Sequence, residues 1–473
     1  MTDRNEFYAG GRWVRSHNPR LIDVINPATG ERIGAAPAGD EQDVHIAVCE
    51  AEAALDAWAA APVEERLQLL RKLRGAIAEH ADELALLITR QMGTPIGFSR
   101  AAQLGLPLRT FDLTIDAMEK LEEQRSERSR VVRDPIGVVA AITPWNFPLH
   151  QIALKVVPAL AAGCTVVLKP SEITPLDALR LAELIDQVGF PAGVVNIVPG
   201  DGATGAALVR HPGIAMVSFT GSTAAGRKIA EQAGRDLKKV ALELGGKSAN
   251  ILLDDVDLEA VVPVAIGQCY VNAGQTCAAL TRLLVPVEKL EEVERLAAAA
   301  AAAWAPGDPE CPDTRMGPMV SRKQRDRAQL LIDSAVAQGA RVVPVDAPVP
   351  GDARGAWLAP SVLSDVRPDM EIAREEVFGP VIVIIGYRDL DDAVRLANDS
   401  DYGLSGGVWS ANVARAERVA ERLKTGHVIL NGAMLDLSAP FGGVRASGLG
   451  REFAGYGLEE FFSPKSITRP AAL

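Results

Sequence analysis

Three side chains are of types, and in settings, that suit covalent catalysis. Cys277 lies in Asn272-Ala-Gly-Gln-Thr-Cys-Ala278, a polar, glycine-containing turn between a predicted helix and a predicted strand. A thiol in such a turn is a better nucleophile candidate than one inside an apolar element. Cys164, in Ala161-Ala-Gly-Cys-Thr-Val-Val167, reads as core by contrast. Taken alone, Cys277 also reads as a small buried hydrophobe. Glu243 sits in the apolar run Val240-Ala-Leu-Glu-Leu-Gly-Gly-Lys247. Apolar surroundings push a carboxyl pKa upward, which suits a general base near neutral pH; the alternative is a Glu paired with a Lys such as Lys247. Asn146, in Pro144-Trp-Asn-Phe-Pro148, offers an amide donor where a strand ends. Such a donor stabilises an oxyanion, and losing one costs roughly 10²–10³ in rate, although Asn is also an ordinary turn residue.

A second group suits a dinucleotide. The turn Thr220-Gly-Ser-Thr-Ala-Ala-Gly226 follows a predicted strand and opens a helix. Glycine lets backbone approach a phosphate closely, and a helix N-terminus favours its charge. The spacing of Gly221 and Gly226 is G-x-x-x-x-G, which is neither the usual dinucleotide fingerprint nor an ATP-binding loop; alone it reads equally as a tight turn. Glu172, just past a predicted strand, is placed to accept from ribose hydroxyls and to repel a 2′-phosphate, which favours NAD over NADP. Lys169 is placed to donate to the same ribose. A solvated Lys–Glu surface pair is the commoner fate of such residues.

The elements that position these groups alternate. Apolar runs at 137–142, 165–169, 194–198 and 215–219 are each bounded by Gly or Pro. Helix-length segments at 149–162, 174–188 and 203–210 separate them. Uninterrupted apolar strands alternating with helices predict a parallel sheet covered on both faces, with ligands at the carboxyl ends of the strands. A second series starts near Leu244, with strands expected at 249–253, 282–287, 341–345, 381–385, 406–409 and 427–430. Its helices are expected at 258–273, 288–303, 323–338, 390–398 and 411–423. Upstream, 23–30 reads as a short strand and turn, and 43–60 and 62–90 as two helices. The charged segment 119–130 reads as a solvated connection.

The chain has 473 residues, enough for about three domains' worth of core without staples. It is 48% hydrophobic and 23% charged, a balance that excludes long-range disorder. Its 61 Asp+Glu exceed 49 Lys+Arg, so a whole-chain nucleic-acid footprint is excluded. The first ten residues have no apolar signal core, and the most apolar stretches are broken by Lys155, Pro158 and Gly163. No membrane association is expected. Cys49, Cys164, Cys269, Cys277 and Cys311 form no CxxC pair; this suits a reducing cytoplasm. The six His are scattered, so no metal is expected.

Taken together the segments resemble the aldehyde dehydrogenase superfamily. The resemblance rests on Thr143-Pro-Trp-Asn-Phe-Pro148, Lys169-Pro-Ser-Glu172, Phe219-Thr-Gly-Ser222, Glu243-Leu-Gly-Gly-Lys-Ser248, Gly274-Gln-Thr-Cys277, Glu375-Glu-Val-Phe-Gly-Pro380 and Pro440-Phe-Gly-Gly443. They occur in the family's order across nearly the whole chain. The resemblance implies two doubly wound α/β domains, one for NAD (residues 1–116 and 136–243) and one catalytic (244–445). It implies a small β-arm and C-terminal strand (117–135 and 446–473) for oligomerisation, hence a homodimer or homotetramer.

It also implies roles. Cys277 attacks an aldehyde, Asn146 and the Cys277 N–H hold the oxyanion, and Glu243 activates the water that hydrolyses the thioester. Lys169 and Glu172 hold the adenine ribose, and Gly221, Ser222 and Gly226 the pyrophosphate. Glu376 and Phe378 meet the nicotinamide ribose and ring, while Ile142, Trp145, Leu244 and Gly245 line the cleft. Glu452 resembles a secondary carboxylate that relays protons with Glu243. The substrate pocket would be lined by Phe147, Gln151, Leu154, Ala278, Leu435 and Phe441, mostly apolar, with Arg109 or Arg445 near its entrance. Leu154, where some members carry a large aromatic, implies a wider tunnel and bulkier aldehydes. CoA as acyl acceptor, a semialdehyde-specific enzyme and a non-catalytic scaffold are the alternatives; the intact Glu243, Cys277 and Asn146 speak for hydrolysis and activity.

Overall fold

The computed structural model describes residues 2–470. Its first large sheet has the strand order Gly448–Leu449, Lys239–Glu243, Met216–Thr220, Val138–Ile142, Thr165–Lys169, Val195–Ile197, Glu6–Ala9 and Arg12–Arg15. The five central strands are parallel, and the pairs at both edges are antiparallel. The central strands from Val138–Ile142 to Val195–Ile197 and Met216–Thr220 are buried along their whole length, as their unbroken apolar composition requires. The helix Pro148–Ala162 is buried at every position, because one face meets this sheet and the other meets the helix Gly105–Glu119 and its neighbours.

The second sheet runs Arg341–Val343, Ser361–Ser364, Val381–Tyr387, Arg282–Pro286, Ala249–Leu252, Ser405–Trp409 and His427–Leu430, parallel except at its first strand. Its core joins Ile251, Leu283, Leu284, Ile382 and Ile384 to Val262, Ile266 and Val293 of the covering helices. A separate antiparallel sheet pairs Ser129–Pro135 with Phe462–Thr468 over seven residues, and with Gln124–Arg125 on its other side. No helix among the described residues is long and apolar enough to cross a membrane.

Two sequence expectations change. The predicted helix at 62–90 is two helices, Val63–Glu79 and Ala81–Met92, broken at His80. His80 leaves the helical region (φ −105°, ψ 18°), and Asp82 and Glu83 supply a fresh acidic first turn. The segment 119–130 is partly strand. The run holding Glu243, given no element in the sequence reading, is a strand, Lys239–Glu243, paired along its length with Met216–Thr220.

Candidate active site

The site lies between the carboxyl ends of the first sheet's central strands and the amino ends of the second sheet's strands. On the first sheet, Val138–Ile142 ends at Thr143, whose N–H donates to the Lys169 carbonyl, and Trp145 and Asn146 follow before the helix begins at Pro148. Met216–Thr220 ends at Gly221, whose N–H donates to the Glu243 carbonyl at 3.0 Å. Ser222 then caps the 13-residue helix Thr223–Arg235, its hydroxyl accepting from the Ala225 N–H. That helix packs close against the next strand end. A Cβ at Gly226 would stand 2.5 Å from Leu244, so no larger residue fits there without moving the cleft wall.

On the second side the backbone is unusual. Asn272, Ala273 and Gly274 all have left-handed φ (56°, 55° and 69°). Such residues normally occur singly, so a run of three stores strain. Gly274 is obligatory there, since a Cβ would lie 2.1 Å from the Gly379 carbonyl. The turn that delivers Cys277 is therefore locked face to face with the segment that carries Glu376 and Phe378. Phe378 is itself left-handed (φ 57°) and meets Trp145 edge-on, with ring centroids 5.3 Å apart.

A buried amide network fixes Asn146. Its carbonyl accepts from Gln103 (2.9 Å) and Asn272 (3.0 Å) side-chain amides, and its Nδ2 donates to the Gln275 carbonyl at 3.0 Å. Nδ2 carries two protons, so one remains for a ligand. Asn146 Oδ1 has no partner among the described residues.

Trp145, Asn146, Gly221, Ser222, Leu244, Gly245, Cys277, Glu376 and Phe378 line one cleft of about 610 Å³ counted to its open mouth, within the range of ligand sites. Pro144, Thr220, Gln324 and Arg327 line it too. Ile142 and Gly226 pack behind its wall, and Glu243, Glu452, Lys169 and Glu172 lie beyond this part of it. Lys169 is buried, its Nζ 3.4 Å from a Glu172 carboxylate that stays about two-fifths exposed. The pair is thus half core and half surface.

The electrostatics are those of a dry site. Burial first, then Glu376, Glu243 and Glu452, pushes the Cys277 thiol up to about 12. Burial pushes Glu376 up to about 7, against the Gly246 N–H that donates to it at 3.0 Å. Burial and the neighbouring Glu452 hold the Glu243 carboxyl well above the usual carboxylate range. Neither Glu243 oxygen has a hydrogen-bond partner among the described residues, and Lys247 forms no pair with it. The cations nearby are Arg451 and Lys155, the latter fully buried and donating to Glu452 and to Thr220 Oγ1 at 2.6 Å each. Sequence reasoning missed Lys155 as a site residue. The signal was present: a Lys inside a helix that is otherwise apolar must find a partner. Gln324 and Arg327 stand on a polar helix, Arg322–Ala337, with no comparable signal.

Around Cys277 the remaining wall is apolar. Leu154, Leu404, Leu437, Phe441 and Phe453 cluster with Leu106, Leu113, Cys277 and Ala278. Phe441 stacks on Phe453 at 5.0 Å, flanked by His427 and by His150, which burial keeps neutral by lowering it to about 3. Phe147 meets Phe98 edge-on, and Gln151 is buried. Leu435, expected to line this pocket, is instead more than a third exposed on the 431–438 loop. Arg445 is tied to the Asn398 and Ser400 carbonyls, while Arg109 is exposed near Asp436.

Residues 13–467 match the aldehyde dehydrogenase family model, and the chain belongs to that family. It is 47% identical to a 3-succinoylsemialdehyde-pyridine dehydrogenase of a Pseudomonas species, over 99% of both chains. Aldehyde dehydrogenase C of Pseudomonas syringae, solved as a cysteine-to-alanine mutant with NAD+ and octanal, superposes with TM-score 0.97 at 42% identity, covering 99% of this chain and 98% of that one. A Mycobacterium tuberculosis aldehyde dehydrogenase complexed with NAD+ gives 0.97 at 38%, covering 100% and 99%.

Proposed function

We propose that the chain oxidises an aldehyde to the carboxylic acid, with NAD as hydride acceptor and water as final acyl acceptor. The observation that carries this reading is one cleft lined by Cys277, Asn146, Glu376, Phe378 and a capped helix N-terminus. Cys277 releases its thiol proton to solvent as Sγ bonds to the carbonyl carbon, and the spare Asn146 N–H with the Cys277 backbone N–H holds the oxyanion. Bound NAD supplies the acceptor for the hydride leaving that carbon. The product is a thioester on Cys277. Glu243 takes a proton from water, whose oxygen attacks the thioester carbon; the C–S bond breaks, the product leaves as the carboxylate and its hydroxyl proton re-forms the thiol. Lys155 and Glu452 carry that proton away from Glu243.

The cofactor fits the residues present. Ser222 and the N-terminus behind it suit pyrophosphate, with Gly221 and Gly226 giving close approach. Lys169 and Glu172 take the adenine ribose, and the Glu172 carboxylate opposes a 2′-phosphate. Glu376 and Phe378 take the nicotinamide ribose and ring, against walls of Ile142, Trp145, Leu244 and Gly245. Residues 1–116 and 136–243 form the NAD domain and 244–445 the catalytic domain. The arm and tail, 117–135 and 446–470, join subunits into a homodimer or homotetramer, because an exposed strand edge needs a partner; the last three residues of that call, 471–473, lie outside the described residues. A cytoplasmic enzyme suits the five free cysteines.

The Phe441–Phe453 stack and the leucines around Cys277 favour an aldehyde on an apolar, bulky body. The octanal complex and the pyridine-bearing substrate named for the relatives agree in kind. NADH formation from NAD with octanal, benzaldehyde-type, pyridyl-semialdehyde and acetaldehyde substrates, beside Cys277→Ser, tests this. Turnover lost in the variant and highest for the large apolar aldehydes is expected. Acetaldehyde giving the best kcat/KM, or equal use of NADP, would overturn the substrate or cofactor assignment.

A further inference from the structure

Asn146 follows a strand of the first sheet, yet it is bonded mainly to the turn that carries Cys277. Its backbone carbonyl accepts from Asn272 Nδ2 at 3.0 Å, and its own Nδ2 donates to the Gln275 carbonyl at 3.0 Å. The third bond comes from Gln103, whose Nε2 donates to the same Asn146 carbonyl at 2.9 Å from the end of a five-residue π-helical segment, Ser99–Gln103. A carbonyl oxygen has two lone pairs, so two side-chain amides saturate it.

The turn is held from behind as well. Asn272 Oδ1 accepts from the Thr94 hydroxyl at 2.8 Å, just past the helix Ala81–Met92. Gln275 Nε2 donates to the Asn272 carbonyl at 3.1 Å, and Gln275 Oε1 accepts from the Val320 N–H at 2.9 Å. Thr94, Gln103, Asn146, Asn272 and Gln275 are all buried. The Asn272 amide can point one way only. Its nitrogen must face the Asn146 carbonyl, which can only accept, and its oxygen faces the Thr94 hydroxyl, which donates. Asn also suits the backbone there, being among the non-glycine residues that adopt a φ of 56° most readily.

We propose that Asn272 is a positioning residue of the oxyanion hole, with Thr94 as the group that orients it. Asn272 ties the Asn146 backbone to the nucleophile turn, so the spare Asn146 N–H and the Cys277 sulfur keep one spacing although their loops belong to different sheets. This role rests on the proposed oxyanion contact of Asn146. Misplacing a catalytic group by about 1 Å costs as much as roughly 10²-fold in rate.

Two rates measured on the full chain separate positioning from folding. One is single-turnover NADH formation from octanal with enzyme in excess, which builds an oxyanion. The other is alkylation of Cys277 by iodoacetamide, followed on the Cys277 peptide by mass spectrometry; it is a displacement at a saturated carbon and builds none. Asn272→Gly removes the amide and keeps the left-handed backbone. It should slow NADH formation by roughly 10–10²-fold and leave alkylation within about twofold. Unchanged NADH formation, or an equal fall in both rates, would overturn the proposal. Asn146→Ala alone should slow NADH formation, and adding Asn272→Gly to it should slow it no further; an additive loss rejects the positioning role. An Asn146→Ala variant as fast as the native chain would instead sink the oxyanion reading, and this role with it. Should Asn272→Gly not fold, Thr94→Val decides. Several-fold slower NADH formation with unchanged alkylation supports the role, and unchanged NADH formation rejects it.

Discussion

The two walls of the cleft are built by opposite means. The first wall, Trp145, Asn146, Gly221 and Ser222, hangs on strand ends that pass into helices with ordinary backbone, one of them capped by Ser222, and Glu243 ends the neighbouring strand just beyond it. The second wall, Cys277, Glu376 and Phe378, hangs on loops in left-handed conformation, locked because Gly274 touches the Gly379 carbonyl. The first wall is regular structure whose exposed groups are the leftover donors of a helix end. The second is strain held in place by contact with its neighbour. The comparison teaches where each function has to sit. Binding of a charged cofactor uses what regular elements leave over, whereas aiming a nucleophile needs geometry that no regular element provides.

Removing the key group of the strained wall should cost most. Cys277→Ser is expected to lower kcat by roughly 10⁴-fold or more while leaving NAD affinity, measured by fluorescence titration, within about twofold. A large loss of NAD binding would show that the two walls are not separable. Glu243→Gln, beside the regular wall, should slow steady-state turnover by roughly 10²–10⁴ yet keep a pre-steady-state burst of NADH, since only hydrolysis of the thioester needs the base.

Its pH behaviour sharpens the point. The Glu243 pKa is raised in the folded state, so the base form is lost as pH falls through that raised value. Acyl hydrolysis should therefore climb with pH in the native enzyme and lie flat in the variant. The same shift has a stability sign. A protonated Glu243 is tolerated, and that stability is lost as pH rises through the folded pKa, because the charged form is the one that burial penalises. Glu243→Gln should accordingly be more stable than the native chain above that pH, read as a higher Tm, and little different near pH 4.

Asn146→Ala should cost roughly 10²–10³ in kcat, with KM little changed. The smallest effect is expected from the strain itself. Ala273→Gly should stabilise the fold by about 1 kcal/mol by relieving one left-handed residue, read as a higher Tm, at some loss of kcat. No change in Tm would show that the run 272–274 is not strained.

Legibility followed the same divide. The strands Thr165–Lys169 and His427–Leu430 and the helix Leu390–Asn398 stand at the bounds their apolar spacing predicts, because periodicity is a local property. Ser361–Ser364, a four-residue strand between loops, left no periodic signal. Leu435 stays more than a third exposed because the 431–438 loop has no local rule to aim it. Lys155 and Lys247 were indistinguishable in sequence: each is a lysine among apolar or small residues. One meets Glu452, nearly 300 positions away, and the other has no hydrogen-bond partner among the described residues.

By itself the sequence determined the alternation of elements, hence two α/β sheets, and the motifs that mark the family; both follow from side-chain chemistry within a few residues. Tertiary structure alone decided which carboxylate is paired and which is bare, which lysine has a partner, and that Gly274 and Gly379 clasp the nucleophile turn. Those are contacts between distant segments, and burial turns them into pKa shifts and strain only once the two sheets have closed on one another.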